Sequence, residues 1–198
     1  MDNEVNYFLS DVAAQPVCNY KVLFDSPPDN FKVHATILFK DNIFYRKECF
    51  FKINKVIMKA VANKNGLEFY NVSGVDKYKI GSTQWNTEIN GYDLFIGLKK
   101  ILSIEIQRNH PMVMRVCFEE CKSHDILCNK WPFVYKLNEL TENVYTDKNN
   151  FSLCRLDSPD RISMSMAKRT REEFILVYFK PWCGFTAFAI GASMLICK

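Results

Sequence analysis

Glycine, proline and histidine are all scarce in this chain, with seven, seven and three copies among 198 residues. So little Gly and Pro excludes collagen-like and low-complexity architectures. Gly81, Gly91 and Gly97 lack the spacing of a phosphate-cradling loop. Three scattered histidines, His34, His110 and His124, supply no Ser-His-Asp order. The acidic pairs Glu119-Glu120 and Glu172-Glu173 are chain neighbours. Neighbours point to opposite faces of a strand, or about 100° apart on a helix, so neither pair is a natural acid/base couple. A strong charge of one sign is missing too: 26 Lys and Arg face 22 Asp and Glu, for a net +4. Nucleic-acid binders show denser basic clusters. The opening MDNEVNYFLSDVAAQP carries early acids and no long apolar core, so it does not read as a secretory signal. Eight cysteines without a framework rhythm then fit reduced, mostly buried thiols in an intracellular chain, cytoplasmic or nuclear.

Core-forming residues are abundant. Apolar residues make up 48% and include sixteen Phe and nine Tyr, enough for one globular domain with a substantial core. The richness in Asn, Lys, Ile and Phe fits an AT-rich coding genome of the viral or invertebrate kind. Residues 1–30 read as an N-terminal extension: a short amphipathic helix over 3–14, then the loop DSPPDN, where each Pro pushes its predecessor away from helix. Residues 31–198 read as a single domain. FKVHATILF alternates, with Phe31, Val33, Ala35, Ile37 and Phe39 on one face. PMVMRVCF alternates as well, with Met112, Met114, Val116 and Phe118 opposed to Val113, Arg115 and Cys117. Residues 50–63 fit either a helix ended by Gly66 or β-branched strands, and Asn65-Gly66 also suits a hairpin turn. Ser158-Pro159 reads as a helix entry, with a helix through RISMSMAKRTREEF and then the strand FILVYF.

The run IGLKKILSIEIQRNHPMVMRVCF, residues 96–118, resembles a strand pair of pleckstrin-homology-like domains. That resemblance implies an α+β, mainly antiparallel β fold: a pleckstrin-homology-like barrel or related sheet with a few helices. A sliding-clamp-like reading competes. It takes 50–63 and 93–102 as helices and lines nucleic acid with Lys52, Lys55, Lys59 and Lys64.

Two sequence clusters carry candidate chemistry. Cys117, Cys121, His124 and Cys128 lie within twelve residues and are the right ligand types for tetrahedral zinc, although the spacing is not that of a finger or knuckle. Lys168, Arg169 and Arg171 make the densest basic patch, suited to nucleic acid, phospholipid or an acidic partner, or to a solvated helix face. Beyond zinc no cofactor is implied.

The tail contains PWCGFT. It resembles two thioredoxin-superfamily sites, the dithiol Pro-Trp-Cys-Gly and the monothiol glutaredoxin Cys-Gly-Phe-Ser, with Thr186 in place of a second Cys. The resemblance implies a redox thiol at Cys183, at the start of a helix over FTAFAIGASMLI. A membrane tail is the other reading of this apolar run, diluted by Gly184, Thr186, Gly191 and Ser193; a buried terminal helix is the preferred one. Taken together, the sequence predicts a non-catalytic protein-interaction or scaffold module. A nucleic-acid-associated clamp-like domain is the alternative, and a thiol redox protein using Cys183 the more distant one.

Overall fold

A computed structural model describes residues 23–41, 47–74, 77–107, 113–120, 127–129, 144–145, 147–155, 158 and 161–196. The described elements are twelve strands and one long helix. The strands are β1 (Val33–Lys40), β2 (Glu48–Ile53), β3 (Lys55–Ala62), β4 (Gly66–Asn71), β5 (Tyr78–Asn86) and β6 (Gly91–Ile96). After them come β7 (Lys99–Gln107), β8 (Val113–Phe118), β9 (Leu127–Asn129), β10 (Phe151–Arg155), β11 (Ile162–Lys168) and β12 (Glu173–Tyr178). The helix α1 is Gly184–Ile196.

All pairings are antiparallel, and each strand from β1 to β12 pairs with the next. Eleven strands form one continuous sheet from β10 through β12 and β1 to β8. The three-residue β9 joins its two ends, pairing Arg115 with Cys128 and Cys154 with Cys128, so the ladder closes into a barrel. Chain-distant β1 and β12 are bound by six residue pairs, from Val33↔Tyr178 to Leu38↔Glu173.

Period-two alternation sends one face of each strand inward. Val33, Ala35 and Ile37 of β1 are buried, as are Met114 and Val116 of β8, while His34 and Arg115 face outward. The barrel interior is filled by α1. Every residue of this helix is buried, and it is apolar on all sides, which only an enclosed helix can be. Phe188 packs on Phe51 at 5.3 Å and on Phe69 at 5.8 Å between ring centroids, and Phe185 meets Phe69 edge-on at 5.5 Å. Gly191 packs against β1; a Cβ there would collide with the Ile37 side chain. Leu23 and Phe24 close one end, with Phe24 5.9 Å from the Phe185 ring and Leu23 fully buried.

One sequence reading is corrected, one left open is decided, and the clamp-like alternative loses its helices. Residues 162–168 and 173–178 are a β-hairpin, where a helix had been expected through Phe174. Met164 and Met166 both point inward, a spacing of two that a helix would place on nearly opposite sides. Ser163, Ser165 and Ala167 on the other face are small and also buried, which hid the alternation. Residues 50–53 and 55–62 are strands turning at Asn54, whose positive φ of 58° an asparagine tolerates. Residues 93–96 and 99–102 are strands as well, so neither helix required by the clamp-like reading is formed. The expected mainly antiparallel β class is present. The 96–118 run is the end of β6 and the β7–β8 hairpin of this larger sheet, a pairing that does not select the pleckstrin-homology type. The helix expected over 3–14 lies outside the described residues.

Candidate binding cleft

The helix enters the barrel at one end and stops at the other. At the entry, Cys183 is the N-cap of α1. Its backbone N–H donates to Thr186 Oγ1 at 3.1 Å, and Ala187 N–H donates to the Cys183 carbonyl at 3.0 Å. A third-position side chain reaching back to the N-cap amide is a capping-box arrangement, with Thr in the usual place of Glu or Gln. Thr186 thus caps the helix at the place where the redox resemblance sought a second thiol. The Cys183 sulfur lies 3.4 Å from the same hydroxyl, and the residue is only 8% exposed. Trp182 is buried beside it, donating from Nε1 to Ser163 Oγ at 3.0 Å.

The other sequence-predicted residues are dispersed. Cys117 is exposed on the outer face of β8, and Cys128 sits in β9. Cys121 and His124 lie outside the described residues, as does His110, and among the described residues no cluster of three His, Cys, Asp or Glu is placed to hold a metal. His34 lies on the outer face of β1, and burial, with Lys32 second, lowers its pKa. Lys168, Arg169 and Arg171 stand at the β11–β12 turn, not on a helix face. Lys168 Nζ is 2.7 Å from Asp147 Oδ2, and Arg169 Nε is 3.9 Å from Glu173. Arg171 is exposed, with no ion pair among the described residues. The basic patch is therefore largely neutralised by its own neighbours. Much of the outer wall is similar: Lys59 pairs with Glu48 at 2.7 Å, Lys79 with Glu68 at 2.8 Å and Lys100 with Glu119 at 2.9 Å.

At the end where α1 stops, sequence reasoning missed an open cleft of about 500 Å³ between the β3–β4 turn and the β5–β6 hairpin. Its floor is apolar: Ala62, Tyr92 and Ile196, the last residue of α1. Its rim is polar: Asn63, Lys64, Asn65 and Gln84, with the indole of Trp85.

The local sequence builds it rigidly. Asn63 Oδ1 accepts from the Asn65 amide at 2.9 Å, and Asn63 N–H donates to the Gly66 carbonyl at 2.9 Å. Trp85 N–H donates to the Asn65 carbonyl at 2.9 Å, tying the turn to β5. Gly66 must be glycine, because a Cβ would run into the Thr83 carbonyl of the paired strand. Trp85 is 44% exposed and stands edge-to-face on the buried Tyr92 at 5.0 Å, which holds the indole upright. Glu68, behind the turn, is kept below the usual carboxylate range by hydrogen bonds from Lys79, then Tyr70, with Asn63 adding to them.

The rim groups have capacity to spare. Lys64 has no ion pair, and the side-chain amides of Asn65 and Gln84 and the Trp85 indole N–H have no hydrogen bond, among the described residues. Among the described residues no carboxylate lines the cleft. A signal was available in sequence, the pairing of Asn65-Gly66 with a Trp at the end of a strand, but the register that joins them was not. No protein-family model and no curated protein sequence matches this chain.

Proposed function

We propose that this protein is a non-catalytic binding module, a rigid barrel that engages a protein partner through its outer surface. The observation that carries the reading is the buried helix. With α1 filling the lumen, the space that other barrels use for a ligand is taken by the chain itself. Recognition is left to the wall and the two ends, and the cleft at the C-terminal end of α1 has the apolar floor and polar rim of a recognition site. The neutralised state of Lys168 and Arg169 favours a protein partner over an anionic strand, because cations already paired release few counterions on binding. An intracellular setting is part of the proposal, as are thiols that serve packing.

The test is identification of the partner by crosslinking in native extract, followed by reconstitution from two purified proteins. The expected result is a stoichiometric complex with contacts on the outer surface. Two results would overturn the reading: turnover of a substrate lost on a point mutation, or retention on DNA or RNA that weakens with salt and with neutralisation of Lys168, Arg169 and Arg171. Alkylation of Cys183 much faster than an ordinary thiol would instead favour the redox reading.

A further inference from the structure

The chemistry of the cleft specifies which part of a partner it takes, and this step rests on the protein-binding reading above. We infer that it receives the C-terminal end of a partner polypeptide, with the terminal carboxylate at Lys64 and the last side chain, an apolar one, on the floor beside Trp85.

Each lining group has a role in this assignment. A chain terminus presents one negative charge, peptide groups that both donate and accept, and a side chain. Among the described residues the cleft presents one ammonium group without an ion pair, Lys64, and no carboxylate to oppose the incoming charge. The amides of Asn65 and Gln84 each carry a donor and an acceptor, the complement of a peptide group. Tyr92 and Ile196 are apolar at the bottom, and the exposed Trp85 gives a flat apolar wall with its own N–H. About 500 Å³ holds a few residues, not a folded surface.

The polarity of α1 sets the orientation. Among the described residues the last turn of α1 carries no basic residue, so the negative end of its dipole lies at Ile196 on the cleft floor. A carboxylate is disfavoured there and favoured across the cleft, at Lys64. A chain terminus always brings a carboxylate to Lys64, whereas an internal segment brings one only where it carries Asp or Glu.

The experiment is an NMR titration of the isotope-labelled full chain. The probe is the N-acetylated tripeptide Ala-Ala-Leu with a free carboxylate, compared with the same peptide as its carboxamide. The Trp85 indole signal, assigned by its loss in Trp85→Phe, and the Gly66 amide should shift saturably with the acid. The carboxamide should bind several-fold more weakly. In Lys64→Gln, affinity for the acid should fall about two- to fivefold, the range of an exposed ion pair, and the acid and amide should become equivalent. Lys64 is an exposed turn residue, so this variant should keep the parent spectrum elsewhere.

The assignment is overturned by equal binding of acid and amide to the parent chain, by shifts confined to other regions, or by no shift up to about 10 mM, weaker than the affinity one well-placed contact set supplies. It is also overturned if a hexose or a mononucleotide shifts these signals while the peptide does not. Failure here can be told apart from failure of the binding reading. A reconstituted partner complex that survives Trp85→Ala and Lys64→Gln removes the terminus assignment and leaves the module standing. Acid-selective peptide binding together with substrate turnover would do the reverse.

Discussion

Tyr178 has a phenolic hydroxyl that is fully buried, and it finds no hydrogen-bond partner among the described residues. Burial first, and Cys183 second, push its pKa well above the usual tyrosine range. An orphaned buried hydroxyl costs about 1–3 kcal/mol. Tyr178→Phe keeps the ring packing and removes that cost, so the melting temperature should rise, by about 2–4 °C per kcal/mol in a chain of this size. A lower melting temperature would mean that the hydroxyl is satisfied. Asp93 is the opposite case. It is 9% exposed on the outer wall, where burial alone would raise its pKa. Ser103 at 2.7 Å, Asn86 at 2.8 Å and Lys100 at 3.2 Å overbalance that effect, and the net shift is downward. A carboxylate held below its unfolded value, near about 3.9, contributes stability that is complete above that pH and lost as pH falls through the folded pKa. Asp93→Asn should therefore flatten the dependence of the urea midpoint on pH below about pH 4; an unchanged slope would remove Asp93 as its source. At this scale the sequence was legible for alternation and misleading for Thr186. The residue is a helix cap, and its role depends on a 3.1 Å hydrogen bond that no motif encodes.

The elements divide by how much of their environment is local. α1 was readable as a buried helix because apolar residues on every side leave no solvent face. Strands β1 and β8 were readable because one face is polar. β11 was not, because Ser and Ala on its outer face are buried too, so the contrast that marks a strand is weak. The same holds for 50–62, where only the turn at Asn54 separates two strands from one helix. The packing of α1 gives the strongest element-scale expectation. Phe188 contacts Phe51 and Phe69 and is fully buried, so Phe188→Ala should cost about 3–5 kcal/mol in denaturant unfolding. Leu98, fully exposed at the β6–β7 tip, serves as the control: Leu98→Ser should stay within about 0.5 kcal/mol. A loss at Phe188 below about 1 kcal/mol would show that the helix does not bear on the wall as described. Among the described residues no helix is long and apolar enough to cross a membrane.

For the whole molecule, the sequence by itself determined the class and several of the parts: alternating strands and an apolar terminal helix that had to be enclosed, while a hairpin at Asn65-Gly66 was one of two readings it allowed. These follow from local periodicity and from the cost of exposing apolar surface, both of which are written in short windows. Tertiary structure alone decided closure and the cleft. Closure needs β1 and β12, more than a hundred residues apart in the chain, to pair in one register, and it needs β9 to bridge the ends of the sheet. Period-two alternation is the same in an open sheet and a closed one, so no window of sequence separates them. The cleft likewise depends on the Gly66↔Gln84 and Trp85↔Tyr92 pairings and on where α1 ends. Register and helix length bring Lys64, Trp85 and Ile196 to one place, and they are long-range consequences of filling a barrel with its own C-terminal helix.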